Sequence, residues 1–475
     1  MKNIKRLFSV LLVLVSIFAI NTFAAEPVTG KITVNNTVSG KKYEIYKIFD
    51  LTYSGTKVAY TMDDSWKTFF DGVGSSYIVE TNSGSLNQIT IGGETKYINI
   101  TNSNIVEFTQ KALAYAATIP YDEVKEASGE SLVFSGLAFG YYLVYPEGAT
   151  IKNDANGSIA SIDSAMPDAT VNVKAKYPEI KKEVDRPTFN VGDYALFTIE
   201  GKVPDTTGFT TYTYQINDTW TAGLELDEEN VEFTVKIGEE TIVATPSYTT
   251  NGFTLSINML EYQDKIGETV TVTYKLKITE EAINSKETHN SATLTYSNNP
   301  KNNEKTTTKE IEKYVYSSKI IVTKVDGADK NVKLKGATFV LMKGNQYYNA
   351  IYENNKLVDV EWEDTIDKAT KLTTGEDGII SFDGLQDGTY HLVETEAPEG
   401  YNKLPLPVEV SITGGMNDKT PIPVVTSKIV ENNTGTELPS TGGFGTTMFI
   451  IIGSLLAMSS AIVLVTNKRM AKEYL

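Results

Sequence analysis

The sequence predicts a mainly β protein built as three sandwich domains in tandem. Three observations carry that prediction. Strand-forming residues abound, with 27 Tyr in a chain of 475 residues and many Thr and Val, side chains that suit a pleated, half-buried surface. Apolar and polar residues alternate over short segments, and clusters of Gly, Asn, Asp and Ser break them at turn spacing. The length itself fits about three domains of ordinary size.

Composition also narrows the function. A net charge of −17 and the lack of a basic patch argue against nucleic acid as a partner, because phosphates must be neutralised by Lys and Arg. The chain has no cysteine, so stability outside the cell must come from something other than disulfides. With two histidines, His289 and His391, there is little from which to build a His-based metal site or a Ser-His-Asp hydrolase. No metal, no cofactor and no enzymatic turnover are expected.

Residues 1–24 read as a secretory signal peptide. Lys2, Lys5 and Arg6 precede an apolar run over residues 7–20, and Thr22-Phe23-Ala24 offers a small-residue cleavage site before Ala25.

The first domain spans residues 25–176. Residues 31–34 and 43–49 alternate as strands around the turn residues Asn35-Asn36 and Ser39-Gly40. Residues 63–70 and 103–118 are the helical candidates, the second closed by Pro120, and residues 169–173 form a final strand. Tyr141, Tyr142 and Tyr145 offer either a binding surface or cross-strand packing, and packing is the expected role.

The second domain spans residues 177–316, with strands expected at 194–200, 211–217, 231–237, 270–278 and 292–296. Lys182 sits on its first strand, Asp218 follows a strand, and Asn290 opens the last strand. Pro178-Glu179-Ile180-x-Lys182, Val191-Gly192-Asp193, Asp218-Thr219 with Gly223-Leu224, and Asn290-x-Ala292-x-Leu294-x-Tyr296 resemble the isopeptide-forming D2 domain of Gram-positive fimbrial proteins. The resemblance implies a spontaneous amide between the Lys182 amine and the Asn290 side chain, with ammonia lost and Asp218 assisting. Lys181 is the alternative nucleophile, since alternation turns only one of the pair inward. The chemistry is sound. A buried lysine loses its proton more easily, a buried acid keeps its own, and folding holds amine and amide together.

The third domain spans residues 317–433. Residues 320–326 and 334–341 read as strands and 375–378 as a turn. Tyr390-x-Leu392-x-Glu394-Thr395-x-Ala397-Pro398-x-Gly400-Tyr401 resembles the E-box of collagen-adhesin B-type domains, small inverse immunoglobulin-like sandwiches. That resemblance implies that Glu394 catalyses an isopeptide between Lys324 and an asparagine of the last strand, Asn432, with Asn433 behind it. Alternation puts Tyr390, Leu392 and Glu394 on one face, and an acid buried there needs a partner or a proton. The frame recurs in the first domain, where Phe134-x-Gly136-Leu137-x-x-Gly140-x-Tyr142 matches Phe382-x-Gly384-Leu385-x-x-Gly388-x-Tyr390. Pro146 then stands where the third domain has Glu394, so no third bond of this type is expected.

Residues 434–475 close the chain with Leu438-Pro439-Ser440-Thr441-Gly442, an apolar run within 445–466, and Lys468, Arg469 and Lys472. The run is long enough to cross a bilayer, and the basic tail would stay in the cytoplasm. The order of the three parts resembles a cell-wall sorting signal. This implies that a sortase cuts between Thr441 and Gly442 and passes the Thr441 carbonyl to an amine of peptidoglycan or of another subunit. The family's pilin motif ends in a lysine at the junction of the first two domains. Lys176 follows Val171-x-Val173 at that place, although the Tyr-Pro expected before it comes after it, and Lys174 is the next candidate. The whole resembles a backbone pilin, three immunoglobulin-like sandwiches between a signal peptide and a transient transmembrane helix. The alternative is a monomeric wall-anchored adhesin whose first domain binds a host or surface ligand.

Overall fold

The computed structural model describes Ser454 and residues 29–435 apart from 55–56, 83, 85, 150–158, 163–165, 174–175, 302–303, 418–419 and 423–424. The expected signal peptide, Lys174, the pentapeptide 438–442 and the apolar run as an element lie outside the described residues. Among the described residues, no helix is long and apolar enough to cross a membrane. The chain divides into two compact units, one of Met1–Pro187, Tyr194–Ile278 and Glu287–Val315, the other of Thr188–Asp193, Thr279–Lys286 and Tyr316–Leu475.

The first unit holds two pairs of sheets. In one pair, strand Thr29–Asn35 lies between Asp168–Asn172, parallel to it, and Ser131–Ala138, antiparallel. The larger sheet is built on Lys42–Ser54 and Gly140–Pro146. Alternating residues of both sheets, including Ile32, Phe134, Ile45 and Leu143, share one core. The two expected helices form. Asp63 caps the first by accepting from the Ser65 amide, which satisfies an otherwise unpaired donor. The second, Ile105–Ala116, buries Phe108, Ala112, Leu113 and Ala116 at helical spacing. Tyr142 and Tyr145 are buried and Tyr141 packs on Phe49, so these tyrosines pack between strands.

In the second pair, Lys181–Val184, Tyr194–Lys202 and Thr269–Ile278 are neighbours in one sheet, and Tyr214–Trp220 and His289–Asn299 are neighbours in the other. Two expectations are corrected here. Asp218 lies inside its strand rather than after it, because the inward alternation of Tyr214, Ile216, Asp218 and Trp220 continues unbroken. The strand of Asn290 is not the last, since Glu304–Thr307 and Ile311–Tyr314 both pair with it. A polar bridge joins the two sandwiches of this unit. Lys301 Nζ lies 3.0 Å from the buried Glu44 carboxylate, and Asn299 donates to Glu147 over 3.0 Å.

In the second unit, strand Ser318–Asp326 lies between Val425–Asn432, parallel, and Ile379–Leu385, antiparallel. A six-stranded sheet carries Thr338–Lys343 beside Gly388–Glu396. The strand expected at 334–341 begins only at Thr338, since Gly336 has φ +84° and turns the chain. Two short segments from within the expected second domain also belong to this unit. Val191 enters its core, and the Ser317 amide donates to the Ala282 carbonyl over 3.0 Å.

The repeat seen in sequence is a repeat of topology. The first sandwich and the second unit each have a first strand held between a parallel last strand and an antiparallel partner. In both, the antiparallel register slips by one residue, opposite Gly136 (φ +74°) and Gly384 (φ +75°). A left-handed glycine is what such a bulge requires. The equivalent tyrosines also close the same corner. Tyr142 donates to the Ala138 carbonyl over 2.6 Å, and Tyr390 to that of Gln386 over 2.5 Å.

Candidate functional site

Two clusters of buried polar side chains interrupt these apolar cores. In the first unit, Lys182, Asp218, Tyr274 and Asn290 are all at most 2 % exposed. Strand alternation delivers each of them. Lys182 points inward while Lys181 is exposed, and Tyr274 occupies the inward row of Val270, Val272, Leu276 and Ile278. Lys182 and Tyr274 come from one sheet, Asp218 and Asn290 from the other, so the cluster spans the sandwich. Lys182 Nζ lies 2.5 Å from Asp218 Oδ2 and 2.5 Å from the Tyr274 hydroxyl. Tyr274 donates to Asp218 Oδ2 over 2.7 Å and accepts from Asn290 Nδ2 over 2.8 Å. Asp218 Oδ1 and Asn290 Oδ1 are buried without a partner. Phe197, Phe233 and Phe253 pack around the Tyr274 ring and exclude water.

Burial sets the electrostatics. It pushes the Lys182 amine below its usual range and the Asp218 carboxyl above its own, against the mutual attraction of the two charges. Tyr274 is held well above the ordinary phenol range, first by burial and then by the charge of Asp218. Burial therefore shifts both groups toward their uncharged forms and keeps the proton on the phenol.

In the second unit, Lys324, Glu394 and Asn432 are at most 2 % exposed. Lys324 and Asn432 stand on adjacent parallel strands, in register Lys324↔Val430 and Asp326↔Asn432. Lys324 Nζ donates to Asn432 Oδ1, and to the Val430 carbonyl over 3.2 Å. Glu394 reaches in from the other sheet. Its carboxylate accepts from Asn432 Nδ2 at 3.0 and 3.1 Å and from the Leu404 amide at 2.7 Å, and lies 3.7 Å from Lys324 Nζ. Burial lowers the Lys324 amine to about 8, although Glu394 pulls the other way. Asn433 is exposed.

The structure thus brings together Lys182, Asp218 and Asn290, and Lys324, Glu394 and Asn432. Tyr274 is the participant that the sequence reading missed. Its signal was one hydroxyl on an otherwise aliphatic inward face. The first sandwich has no counterpart cluster among the described residues. In the repeat register, where Ile32 pairs with Phe134 as Ile320 pairs with Phe382, Asn36 falls at the place of Lys324, and Pro146 at that of Glu394. Lys176 is exposed. Elsewhere in this unit, a cavity of about 390 Å³ is lined by Leu113, Tyr145, Phe209, Tyr212 and Ile266 among others.

Residues 318–425, within the second unit, match the family model of SpaA prealbumin-like fold domains. Among individual proteins, the chain is 39% identical over 88 residues to fimbrial subunit type 1 of Actinomyces viscosus, a match spanning 18% of this chain and 16% of that protein. It is 32% identical to the pilus 2b backbone protein of group B streptococcus, over 55% of this chain and 99% of that structure, with a TM-score of 0.43. It is 19% identical to the major pilin SpaD of Corynebacterium diphtheriae, over 86% of this chain and 98% of that one, with a TM-score of 0.47.

Proposed function

We propose that the chain is a structural cell-surface protein, a pilus subunit whose domains are tied by Lys182–Asn290 and Lys324–Asn432 amide bonds. The observation that carries this reading is the recurrence, in two separate cores, of a buried lysine, a buried acid and a buried asparagine gathered in one hydrogen-bonded cluster. An ion pair alone would not need the asparagine, and burying charge without further gain is costly.

The reaction follows from the contacts. A neutral lysine amine attacks the asparagine Cγ. In the second unit the Asn432 oxygen faces Lys324, and the leaving nitrogen faces Glu394. Glu394 is placed to take a proton from the attacking nitrogen and return it to the departing one. In the first unit a proton on Asp218 would satisfy the two unpartnered oxygens, Asp218 Oδ1 and Asn290 Oδ1, and polarise the carbonyl. In each case the C–N bond of the amide breaks, a new C–N bond forms, and one ammonia leaves. Fixed contact supplies the effective concentration that drives an otherwise slow aminolysis.

Such ties suit a protein under tension. The sorting signal supplies one end, with Thr441 transferred by a sortase to a neighbouring subunit or to peptidoglycan after transient insertion through 445–466. Lys176 is the favoured acceptor on the next copy. It follows the first sandwich, so load entering there bypasses the domain with no predicted tie. Matches to a fimbrial subunit and to the SpaA-type domain family support the same reading. The test is a blot of wall extracts for high-mass ladders, which should vanish in Thr441→Ala and Lys176→Ala. Persistence of the ladder in Thr441→Ala would overturn polymerisation through the sorting signal.

The aromatic cavity beside Tyr145 favours a second reading, an adhesin that holds a host or surface ligand there. A Tyr212→Ala variant that kept its ladders but lost cell attachment would support it.

A further inference from the structure

We infer that Tyr274 is a catalytic residue of the Lys182–Asn290 reaction, its hydroxyl relaying a proton from the attacking nitrogen to the leaving one. This rests on the isopeptide reading above. The hydroxyl touches both nitrogens whose bonding must change, Lys182 Nζ at 2.5 Å and Asn290 Nδ2 at 2.8 Å. Aminolysis of an amide stalls unless the attacking nitrogen loses a proton and the departing one gains it. A phenol in contact with both can do this in one exchange. Its own proton, donated to Asp218 Oδ2 at rest, turns to Nδ2 as that nitrogen leaves, a proton from Nζ replaces it, and the hydroxyl ends unchanged. The Cγ–Nδ2 bond breaks, the Cγ–Nζ bond forms, and ammonia departs with the transferred proton.

The second unit makes the division of labour visible. There one carboxylate, Glu394, spans both nitrogens. In the first unit the span belongs to Tyr274, while Asp218 has an unpartnered Oδ1 available for the amide oxygen. Phe197, Phe233 and Phe253 pack on the ring, and the four polar side chains of the cluster are at most 2 % exposed. The buried phenol holds its proton firmly, as a relay that must end where it began requires.

The experiment is pulse–chase of the full chain, with intact mass and the Lys182–Asn290 cross-linked peptide followed over time. Tyr274→Phe keeps the ring and its packing and removes only the hydroxyl. Bond formation at Lys182 should slow by on the order of 100-fold or more, while the Lys324–Asn432 bond forms at the wild-type rate and reports correct folding. Phe197→Leu, which disturbs the same packing and keeps the hydroxyl, should slow the bond far less. Wild-type kinetics in Tyr274→Phe, or equal slowing in Phe197→Leu, would overturn the relay and leave the bond itself standing. A wild-type chain with no ammonia deficit would overturn the isopeptide reading and the relay with it.

Discussion

Replacing Glu394 by Gln removes the acid at nearly constant volume. Lys324 and Asn432 are 108 residues apart in the chain, so the proposed bond closes a loop of roughly 100 residues, worth about 4.7 kcal/mol of unfolded-state entropy. The carboxylate also accepts from Asn432 and from the Leu404 amide. An amide side chain has one acceptor oxygen in place of two, and a buried donor left unpaired costs about 1–3 kcal/mol. The variant should therefore lose roughly 6–8 kcal/mol, which for a domain of this size lowers its melting transition by roughly 25 °C. Intact mass of the mature chain, corrected for the substitution, should rise by one ammonia, and calorimetry should move the corresponding transition. A Glu394→Gln chain that kept the full deficit of two ammonia would refute the catalytic role. One that lost the bond yet melted where the wild type does would refute the entropic reasoning.

Other outcomes follow from the same contacts. In Asn432→Ala the Lys324 amine stays free in a site that lowers it from 10.5 to about 8. The unfolded chain then binds more protons than the folded one between those values, so stability should rise with pH from about 8 to about 10, and Lys324→Met on that background should flatten the rise in urea titrations. Pro146→Glu should yield no further ammonia loss by intact mass, because Asn36 occupies the lysine position. Lys301→Met takes the cation from the buried Glu44 carboxylate and leaves it the Tyr46 hydroxyl as donor, a loss of up to about 3–5 kcal/mol. Hydrogen exchange should then quicken in both sandwiches of the first unit near Glu44 and Asn299, and unchanged exchange would show the bridge to be idle.

Many of the strands, both helices and the inward faces of Lys182 and Lys324 were legible because alternation and turn chemistry are local. Glu394 was readable for the same reason, since its neighbours Tyr390 and Leu392 fix the face it shares. Tyr274 was not legible. A tyrosine in a strand ordinarily packs, and only the meeting of two sheets reveals that its hydroxyl touches two nitrogens. The extent of the Asp218 strand was lost to the habit of ending strands at Asn-Asp, which a buried partner overrides. The segment Thr188–Asp193 joins the second unit through contacts such as that of Phe189 with Tyr316, far apart in sequence and invisible to local pattern.

The first and last strands of the second unit lie side by side while nearly the whole domain runs between them. A covalent Lys324–Asn432 link there has a consequence for proteolysis. A single cut in any loop between those residues would release nothing: both pieces would remain one branched polymer, heavier by one water. Two cuts within that loop would be needed before any piece of it could diffuse away.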